Sequence, residues 1–126
     1  MAYFPFFADI EGKKGLIAGG GEVACRKVRD LIPYGAVIQV VSPCLSQGLL
    51  DMEQRSVYGD ALSVARRVFE DSDVEDADFV IAATSDTALN SHISSLCRIK
   101  QIPVNVVDVK EECSFIFPSI VRDYPV

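Results

Sequence analysis

The stretch that decides the fold is GLIAGGGEVACRKVRDLIPYGAVIQVVSP, residues 15–43. Residues 15–18 form a short apolar run, which is typical of a buried parallel strand. Three glycines interrupt this run, and apolar side chains then recur at helical spacing over residues 22–32. Residues 36–41 are rich in β-branched side chains and predict a second strand. The stretch therefore predicts a strand, a glycine turn, a helix and a second strand.

Two residues predict where this helix ends. Pro33 lacks a backbone amide and crowds the carbonyl group of Arg29, so we expect the helix to end or kink near Ile32. Gly35 then allows the left-handed conformation that commonly closes a helix.

The glycine turn predicts a dinucleotide site. Gly19, Gly21 and Ala24 fit the pattern G-x-G-x-x-G/A at the point where a strand meets a helix. Gly19 would allow the tight turn, Gly21 would let a pyrophosphate approach the backbone, and Ala24 would let the helix pack closely. The backbone amides of Gly21, Glu22 and Val23 would face the anion, helped by the helix dipole. The alternative is a turn that needs only a flexible backbone, but three consecutive glycines cost more conformational entropy than such a turn requires.

The end of the second predicted strand lacks the acidic residue that usually binds the adenosine ribose about 20 residues after the glycines. Ser42 stands there instead and can donate a weaker hydrogen bond. The backbone of Pro43 and Cys44 would line the adenosine. No arginine adjoins Ser42 in the sequence to hold a 2′-phosphate, so we expect NAD rather than NADP.

Composition limits the class of protein. The 126 residues predict one domain over residues 1–126, and 49% hydrophobic residues are enough for a proper core. No segment reaches the ~18 apolar residues of a membrane helix, and the first residues do not resemble a secretory signal. We therefore expect a cytoplasmic protein that does not bind membranes. The net charge of −6 argues against nucleic-acid binding.

The sequence predicts no resident metal site. The acidic run over residues 70–78 is more typical of a solvated face than of a metal centre. No two of the four cysteines form C-x-x-C, and the lone His92 adds no cluster, so we expect free thiols in a reducing compartment. Cys113 precedes an apolar segment; it is either near a site or a small buried hydrophobe, and we favour the second.

The rest of the chain alternates strands and helices, which predicts an α/β doubly wound Rossmann fold with a mostly parallel sheet in the order 3-2-1-4-5-6. An aromatic lead-in over residues 3–7 is expected to pack over one sheet edge, and Ser72-x-x-Glu75 reads as a capping box for a short helix. The further predicted elements are helix 45–54, a strand fragment 56–58, strand 64–69, strand 78–84, helix 87–100, strand 102–108 and a sixth strand 114–121.

Two polar residues follow predicted strands at the edge where such sheets bind ligands. Thr84 ends the fourth strand and is either a cofactor contact or an ordinary polar strand end. Asp108 lies just past the fifth strand. It is either a carboxylate at the mouth of the nicotinamide site or a cap for the next turn.

Four motifs in order resemble a known family. GGGEVACRK after the first strand, ATSDTALN after the fourth, NVVD after the fifth and then FIFPSIV resemble the N-terminal part of siroheme synthase. The same unit occurs alone as precorrin-2 dehydrogenase. The resemblance covers all 126 residues, and the combination of motifs is specific although each motif alone is not.

The resemblance implies NAD-dependent oxidation of precorrin-2 to sirohydrochlorin in siroheme biosynthesis. In some members ferrous iron is then inserted into the ring as a second substrate. It implies that Asp108 acts as a general base in the oxidation and assists metal insertion. It also implies a set of cofactor contacts, namely Gly21, Glu22, Val23, Pro43, Cys44 and Thr84.

Family members continue past FIFPSIV into a dimerisation region and a small helical domain, which help to form the tetrapyrrole cleft. We expect these regions to be absent from this chain, which ends at Val126, and we expect the full-length form to be a homodimer. Arg26 and Lys27 are candidates for binding the substrate's carboxylates, although an exposed helix face explains them equally well.

The alternative function is an NAD-binding regulatory or sensor domain without catalysis. Such domains use the same fold, because fold alone does not decide function. They more often keep the acidic residue after the second strand, and they have no evident need for NVVD followed by FIFPSIV. These features favour the dehydrogenase.

Overall fold

A computed structural model describes residues 2–117, which form one parallel sheet with helices on both faces. The strand order β3-β2-β1-β4-β5 confirms the predicted doubly wound α/β fold over its first five strands. The order reverses between β1 and β4, and ligands of such sheets bind at this point. The strands are β1 (Lys14–Ala18), β2 (Val37–Val41), β3 (Leu62–Ala65), β4 (Phe79–Ala82) and β5 (Val104–Val106); the helices are α1 (Glu22–Leu31), α2 (Gln47–Gln54) and α3 (Thr87–Ile99).

Side chains of each strand alternate between two core layers. Ile17 and Ile81 pack on the face covered by α1 and α2, together with Val28 of α1. Leu16 and Val80, one residue earlier on the same strands, pack on the face covered by α3. Since both faces are covered, β4 is buried throughout and β1 is buried from Gly15 onward, as the apolar runs predict.

The first helix ends as predicted. α1 stops at Leu31 and a 3-10 turn, Ile32–Tyr34, takes in Pro33, whose missing amide is tolerated at a helical start. Gly35 follows with φ 93° and donates its amide to the Ile32 carbonyl. The left-handed residue therefore redirects the chain into β2.

The third strand lies earlier than predicted. It covers Leu62–Ala65 and pairs in register with residues 38–41 of β2, so the prediction of a strand over 64–69 is wrong in its position. The strand fragment predicted at 56–58 is also wrong: these residues form a turn in which Ser56 has φ 50°. Pairing with β2, which ends at Val41, decides where β3 ends.

The predicted capping box is wrong by two residues. A 3-10 helix, Asp71–Val74, is capped by Glu70 and Asp73 instead of Ser72 and Glu75. Asp73 accepts the Glu70 amide at 2.8 Å and two hydrogen bonds from the Arg67 guanidinium at 2.9 and 2.6 Å. The arginine thus selects which acidic side chain caps the turn.

The two ends of the described chain also depart from expectation. Phe4, Phe6 and Phe7 are 74%, 86% and 88% exposed, so the aromatic lead-in does not pack over the sheet. Of the sixth predicted strand, residues 114–117 form no strand, and residues 118–121 lie outside the described residues. Among the helices of residues 2–117, none has the length and apolar character needed to cross a membrane.

Candidate functional site

Gly19 directly follows β1 and lies against the backbone of the loop that follows β4. Its φ is 128°, which side chains rarely adopt, and a Cβ there would overlap the carbonyl oxygen of Ala83. The amide of Ala83 donates to the Ala18 carbonyl at 2.8 Å, so the ends of β1 and β4 are in direct contact. Two independent constraints therefore require glycine at this position.

Gly20 is the residue through which the glycine loop (residues 19–21) contacts the loop after β2. A Cβ on Gly20 would overlap the Cys44 carbonyl oxygen and lie 2.8 Å from Ser42 Oγ. The Gly20 carbonyl accepts the Ser46 amide at 2.7 Å. Sequence reasoning missed Gly20 because the fingerprint accepts any residue at this position. The unbroken run of three glycines, with Gly20 in the middle, was the available signal.

Gly21 has the opposite surroundings. It is exposed, has an ordinary φ of −89°, and a Cβ there would meet no atom within 4 Å. Gly21 is the N-cap of α1, and no side chain caps this end of the helix. The amides of Gly21, Glu22 and Val23 donate to no acceptor within residues 2–117. Free amides at a helix start beside open space fit the pyrophosphate of a dinucleotide.

The predicted adenosine contacts lie in the loop beside Gly20. Pro43 and Cys44 are exposed, whereas Ser42 is only 8% exposed. The Ser42 hydroxyl donates to the Cys44 carbonyl at 2.7 Å and accepts the Cys44 amide at 3.3 Å. Because its proton is used within the loop, donation from Ser42 to a ribose would replace this hydrogen bond, and the contact stays a prediction. Ser42 shapes the loop that Gly20 contacts.

Two arginines that are distant in sequence approach the end of β2. The Ser42 amide donates to the Ala65 carbonyl at 3.1 Å, and Arg66 and Arg67 follow directly. Sequence adjacency alone therefore failed to find them. Arg66 pairs with Glu53, and Arg67 pairs with Asp73, whose pKa these hydrogen bonds hold below its ordinary value. Both guanidinium groups already have carboxylate partners.

Thr84 is held by a residue that sequence reasoning missed. Asn90, 8% exposed on α3, accepts the Thr84 hydroxyl at 2.6 Å and the Thr84 amide at 3.2 Å. Its own amide group donates to the Thr84 carbonyl at 3.0 Å. The β4–α3 loop at the point of strand reversal therefore depends on one buried side chain. The spacing of Thr84 and Asn90, six residues across a helix start, carried no recognisable signal.

Asp108 lies in a turn directly after β5. The Val107 amide donates to the Ala82 carbonyl at 3.1 Å, which sets this turn beside the end of β4. Asp108 is exposed, and its carboxylate has no hydrogen-bond or ion-pair partner between residues 2 and 117. The next 3-10 helix, Lys110–Glu112, has no side-chain cap, so the alternative that Asp108 caps it is wrong.

The two basic candidates on α1 differ. Arg26 is exposed, whereas Lys27 is partly buried with Nζ 4.0 Å from the ring centre of Phe117. This burial lowers the pKa of Lys27, and the ring offsets part of the cost of desolvating its charge. The aromatic ring already occupies the position that an anionic group would take over Lys27.

The cysteines are free thiols. Cys25 and Cys97 are buried, and burial raises the pKa of Cys97 to about 11, so it stays neutral. Within residues 2–117, no three His, Cys, Asp or Glu side chains gather as a metal site requires.

The site residues therefore lie on four neighbouring loops at the carboxyl edge of the sheet. The glycine loop contacts the loop of Ser42 on one side and the loop of Thr84 on the other, and the turn of Asp108 follows the next strand. Among residues 2–117, this arrangement places three amides without acceptors and one carboxylate without a partner at the same edge.

Comparisons with known proteins agree with this geometry. The chain is 44% identical over 126 residues to a siroheme synthase of Nitrosospira multiformis, and 43% identical over 125 residues to siroheme synthase 1 of Klebsiella pneumoniae subsp. pneumoniae. Among solved structures it resembles SirC, a precorrin-2 dehydrogenase, with a TM-score of 0.76 and 25% identity, over 93% of this chain and 55% of that one. These matches confirm the resemblance that the four motifs indicate.

The matches also define what the chain spans. The alignment with the first siroheme synthase includes 100% of this chain but only 27% of that protein. The alignment with the second includes 99% of this chain and 26% of that protein. The sequence model of the NAD(P)-binding family NAD_binding_7 matches residues 6–119, which confirms the predicted cofactor class. The chain belongs to this family of NAD(P)-binding domains.

Proposed function

We propose that this chain forms the NAD-binding part of a precorrin-2 dehydrogenase and carries its proton acceptor. The observation that supports this most is the pairing of two features at one edge of the sheet. Three unpaired amides begin α1 beside open space, and the unpartnered carboxylate of Asp108 lies on a neighbouring loop. The likeness to a solved precorrin-2 dehydrogenase supplies the reaction.

The cofactor contacts follow from the loops. The amides of Gly21, Glu22 and Val23 bind the pyrophosphate, strengthened by the positive end of the α1 dipole. The exposed Pro43 and Cys44 border the adenosine, and Ser42 holds their loop in shape. Thr84, on the loop next to Gly19, borders the nicotinamide side.

We propose NAD rather than NADP. A 2′-phosphate needs a free guanidinium near the ribose. Arg66 and Arg67 follow the strand beside Ser42, but carboxylates of Glu53 and Asp73 already pair with them. Binding NADP would therefore require breaking at least one of these ion pairs.

When bound, NAD supplies the acceptor for a hydride. Oxidation of precorrin-2 to sirohydrochlorin removes a hydride, which bound NAD would accept to become NADH, and a proton, which goes to a base. Asp108 takes the proton, because an exposed carboxylate without a partner among residues 2–117 is available as a general base.

Three broader statements belong to the same proposal. Sirohydrochlorin then accepts ferrous iron as a second substrate, with Asp108 assisting. The complete enzyme is a homodimer whose further regions close the tetrapyrrole cleft, and residues 1–126 are its NAD-binding domain. The enzyme works in the cytoplasm, where its thiols stay reduced.

The test compares Asp108→Asn with the unaltered chain. NADH absorbance is followed anaerobically after mixing protein, NAD and precorrin-2, and the Kd for NAD is measured by titration. We expect NAD affinity to be unchanged and turnover to fall at least ~100-fold, the usual contribution of a general base. Asp60→Asn, an exposed aspartate on the 3-10 turn before β3, is the matched control and should change neither quantity.

Two results would contradict the proposal. Turnover of Asp108→Asn equal to that of the unaltered chain would remove Asp108 from the reaction. NAD binding without any NADH formation, by this chain and by a longer form that includes the tetrapyrrole cleft, would favour the regulatory or sensor domain instead.

A further inference from the structure

The turn that carries Asp108 has an unfavourable backbone. Asp108 has φ 65°, in the left-handed region that non-glycine residues rarely adopt. The turn closes with one backbone hydrogen bond, from the Val109 amide to the Val106 carbonyl at 3.2 Å. Such backbone conformations persist only when surrounding contacts impose them. Since the carboxylate itself has no partner within residues 2–117, the support must come from elsewhere.

The thiol of Cys113 supplies this support. Its sulfur accepts the Val106 amide at 3.1 Å and lies 3.2 Å from the Val106 carbonyl oxygen and 3.3 Å from that of Val109. The thiol can donate to one of these two oxygens. A single side chain therefore spans both ends of the turn and leaves the Asp108 carboxylate outside.

Cys113 is itself held by α3. The guanidinium of Arg98 donates to the carbonyls of Cys113 at 3.1 Å and of Glu111 at 3.2 Å. Ser94, 3% exposed, donates its hydroxyl to the Glu112 carbonyl at 2.5 Å and accepts the Arg98 Nε at 3.3 Å. The contacts run from a rigid helix through residues 111–113 to the thiol and then to the turn.

We propose that Cys113 is a positioning residue that holds Asp108 in place for proton transfer, with Arg98 anchoring it to α3. The inference rests on the proposed function, in which Asp108 accepts the proton. Cys113 contacts neither cofactor nor substrate in this account. Cys113 packs partly buried against the apolar core, in line with the interpretation favoured from the sequence, and its sulfur makes the hydrogen bonds to the turn in addition.

The experiment measures kcat, KM and NAD affinity for Cys113→Ala and Cys113→Ser. Alanine removes the sulfur's hydrogen bonds, whereas serine keeps one donor and one acceptor. We expect Cys113→Ala to lower kcat about tenfold with unchanged NAD affinity, because the glycine loop does not depend on the thiol. Cys113→Ser should recover most of that loss. Ser95→Ala, which alters an exposed side chain on α3, should behave like the unaltered chain.

A second variant protects the test against a folding failure. Arg98 is exposed, so Arg98→Gln keeps the fold while weakening the anchor of Cys113. It should lower kcat about threefold, again without a change in NAD affinity. In the Asp108→Asn background, Cys113→Ala should lower the residual rate no further, since both act through one carboxylate.

The outcomes separate the two proposals. An unchanged kcat in Cys113→Ala and Arg98→Gln, with Asp108→Asn inactive, would overturn the positioning role and leave the proposed function intact. Equal loss in Cys113→Ser and Cys113→Ala would also overturn it, because hydrogen bonding would not then be the cause. Full turnover by Asp108→Asn would overturn both proposals.

Discussion

The glycine loop and the Asp108 turn lie at the same edge of the sheet, and each contains a left-handed residue, but they are held in different ways. Gly19 has φ 128° and Asp108 has φ 65°. Backbone atoms of neighbouring loops hold the glycine loop by occupying the space where a Cβ would lie. Side chains hold the Asp108 turn, chiefly Cys113. Backbone contacts are enough to fix a loop that presents amides. A turn that presents an exposed carboxylate is instead held by side chains that contact its buried backbone groups.

The largest effect is expected for a substitution that disrupts the glycine loop. Gly19→Ala adds a Cβ that overlaps the Ala83 carbonyl and forces alanine into a positive φ. Overpacking and backbone strain together should lower the free energy of unfolding by about 4 kcal/mol, as measured by urea denaturation.

Gly12→Ala separates the two causes. Gly12 also has a positive φ, 74°, but nothing lies within 4 Å of its Cβ position. This variant should lose only about 1 kcal/mol from backbone strain. Equal losses in the two variants would show that contact with Ala83 does not hold the loop.

An intermediate effect is expected at the Thr84 loop, which contacts Gly19 and is held by the side chain of Asn90. Asn90→Ala removes three hydrogen bonds to Thr84 and leaves the partly buried Thr84 amide without its partner, whereas the hydroxyl keeps its contacts with the Asp86 backbone. The free energy of unfolding should fall by about 2 kcal/mol in urea denaturation. Asn90→Asp keeps the acceptor oxygen and loses the donor to the Thr84 carbonyl, so it should lose about half as much.

NAD titration of the same two variants sharpens the comparison. If the Thr84 loop borders the cofactor, both variants should bind NAD more weakly, alanine more than aspartate. Unchanged affinity in a folded Asn90→Ala protein would remove Thr84 from the cofactor site.

The smallest expected effect on the fold lies one residue beyond Gly20. Gly21 has an ordinary φ and open space around its Cβ position, so Gly21→Ala should change the free energy of unfolding by less than about 0.5 kcal/mol. The added methyl would stand where the pyrophosphate approaches, so NAD affinity should fall about tenfold, or ~1.4 kcal/mol. Wild-type affinity in Gly21→Ala would mean that the anion binds elsewhere.

The accuracy of sequence reasoning differed between local and distant features. The first strand, the glycine turn, α1 and the end of α1 near Ile32 follow from periodicity and from the backbone limits of glycine and proline, all within one stretch. β3 was misplaced because apolar alternation continues past Ala65, while pairing with β2 ends there. The capping box was misplaced because Arg67 selects Asp73 from a run of acidic candidates.

The candidate site shows the same division. Gly19, Gly21 and the two strand-end residues Thr84 and Asp108 are candidates that the sequence supplies, because motif spacing and strand ends are local signals. The structural roles of Gly20, Asn90 and Cys113 depend on contacts with atoms of other segments. A chain read in order does not reveal those neighbours.

The sequence by itself determined the order of strands and helices and the NAD(P)-binding class, and it predicts the edge of the sheet where the candidate site lies. Hydrophobic period, glycine conformations and motif spacing are properties of short segments, which each segment carries into any environment. Only the tertiary structure decided the register of β3, the pairing of Arg66 and Arg67, and the contacts that hold Thr84 and Asp108. These depend on which backbone groups of distant segments face one another once the sheet has formed.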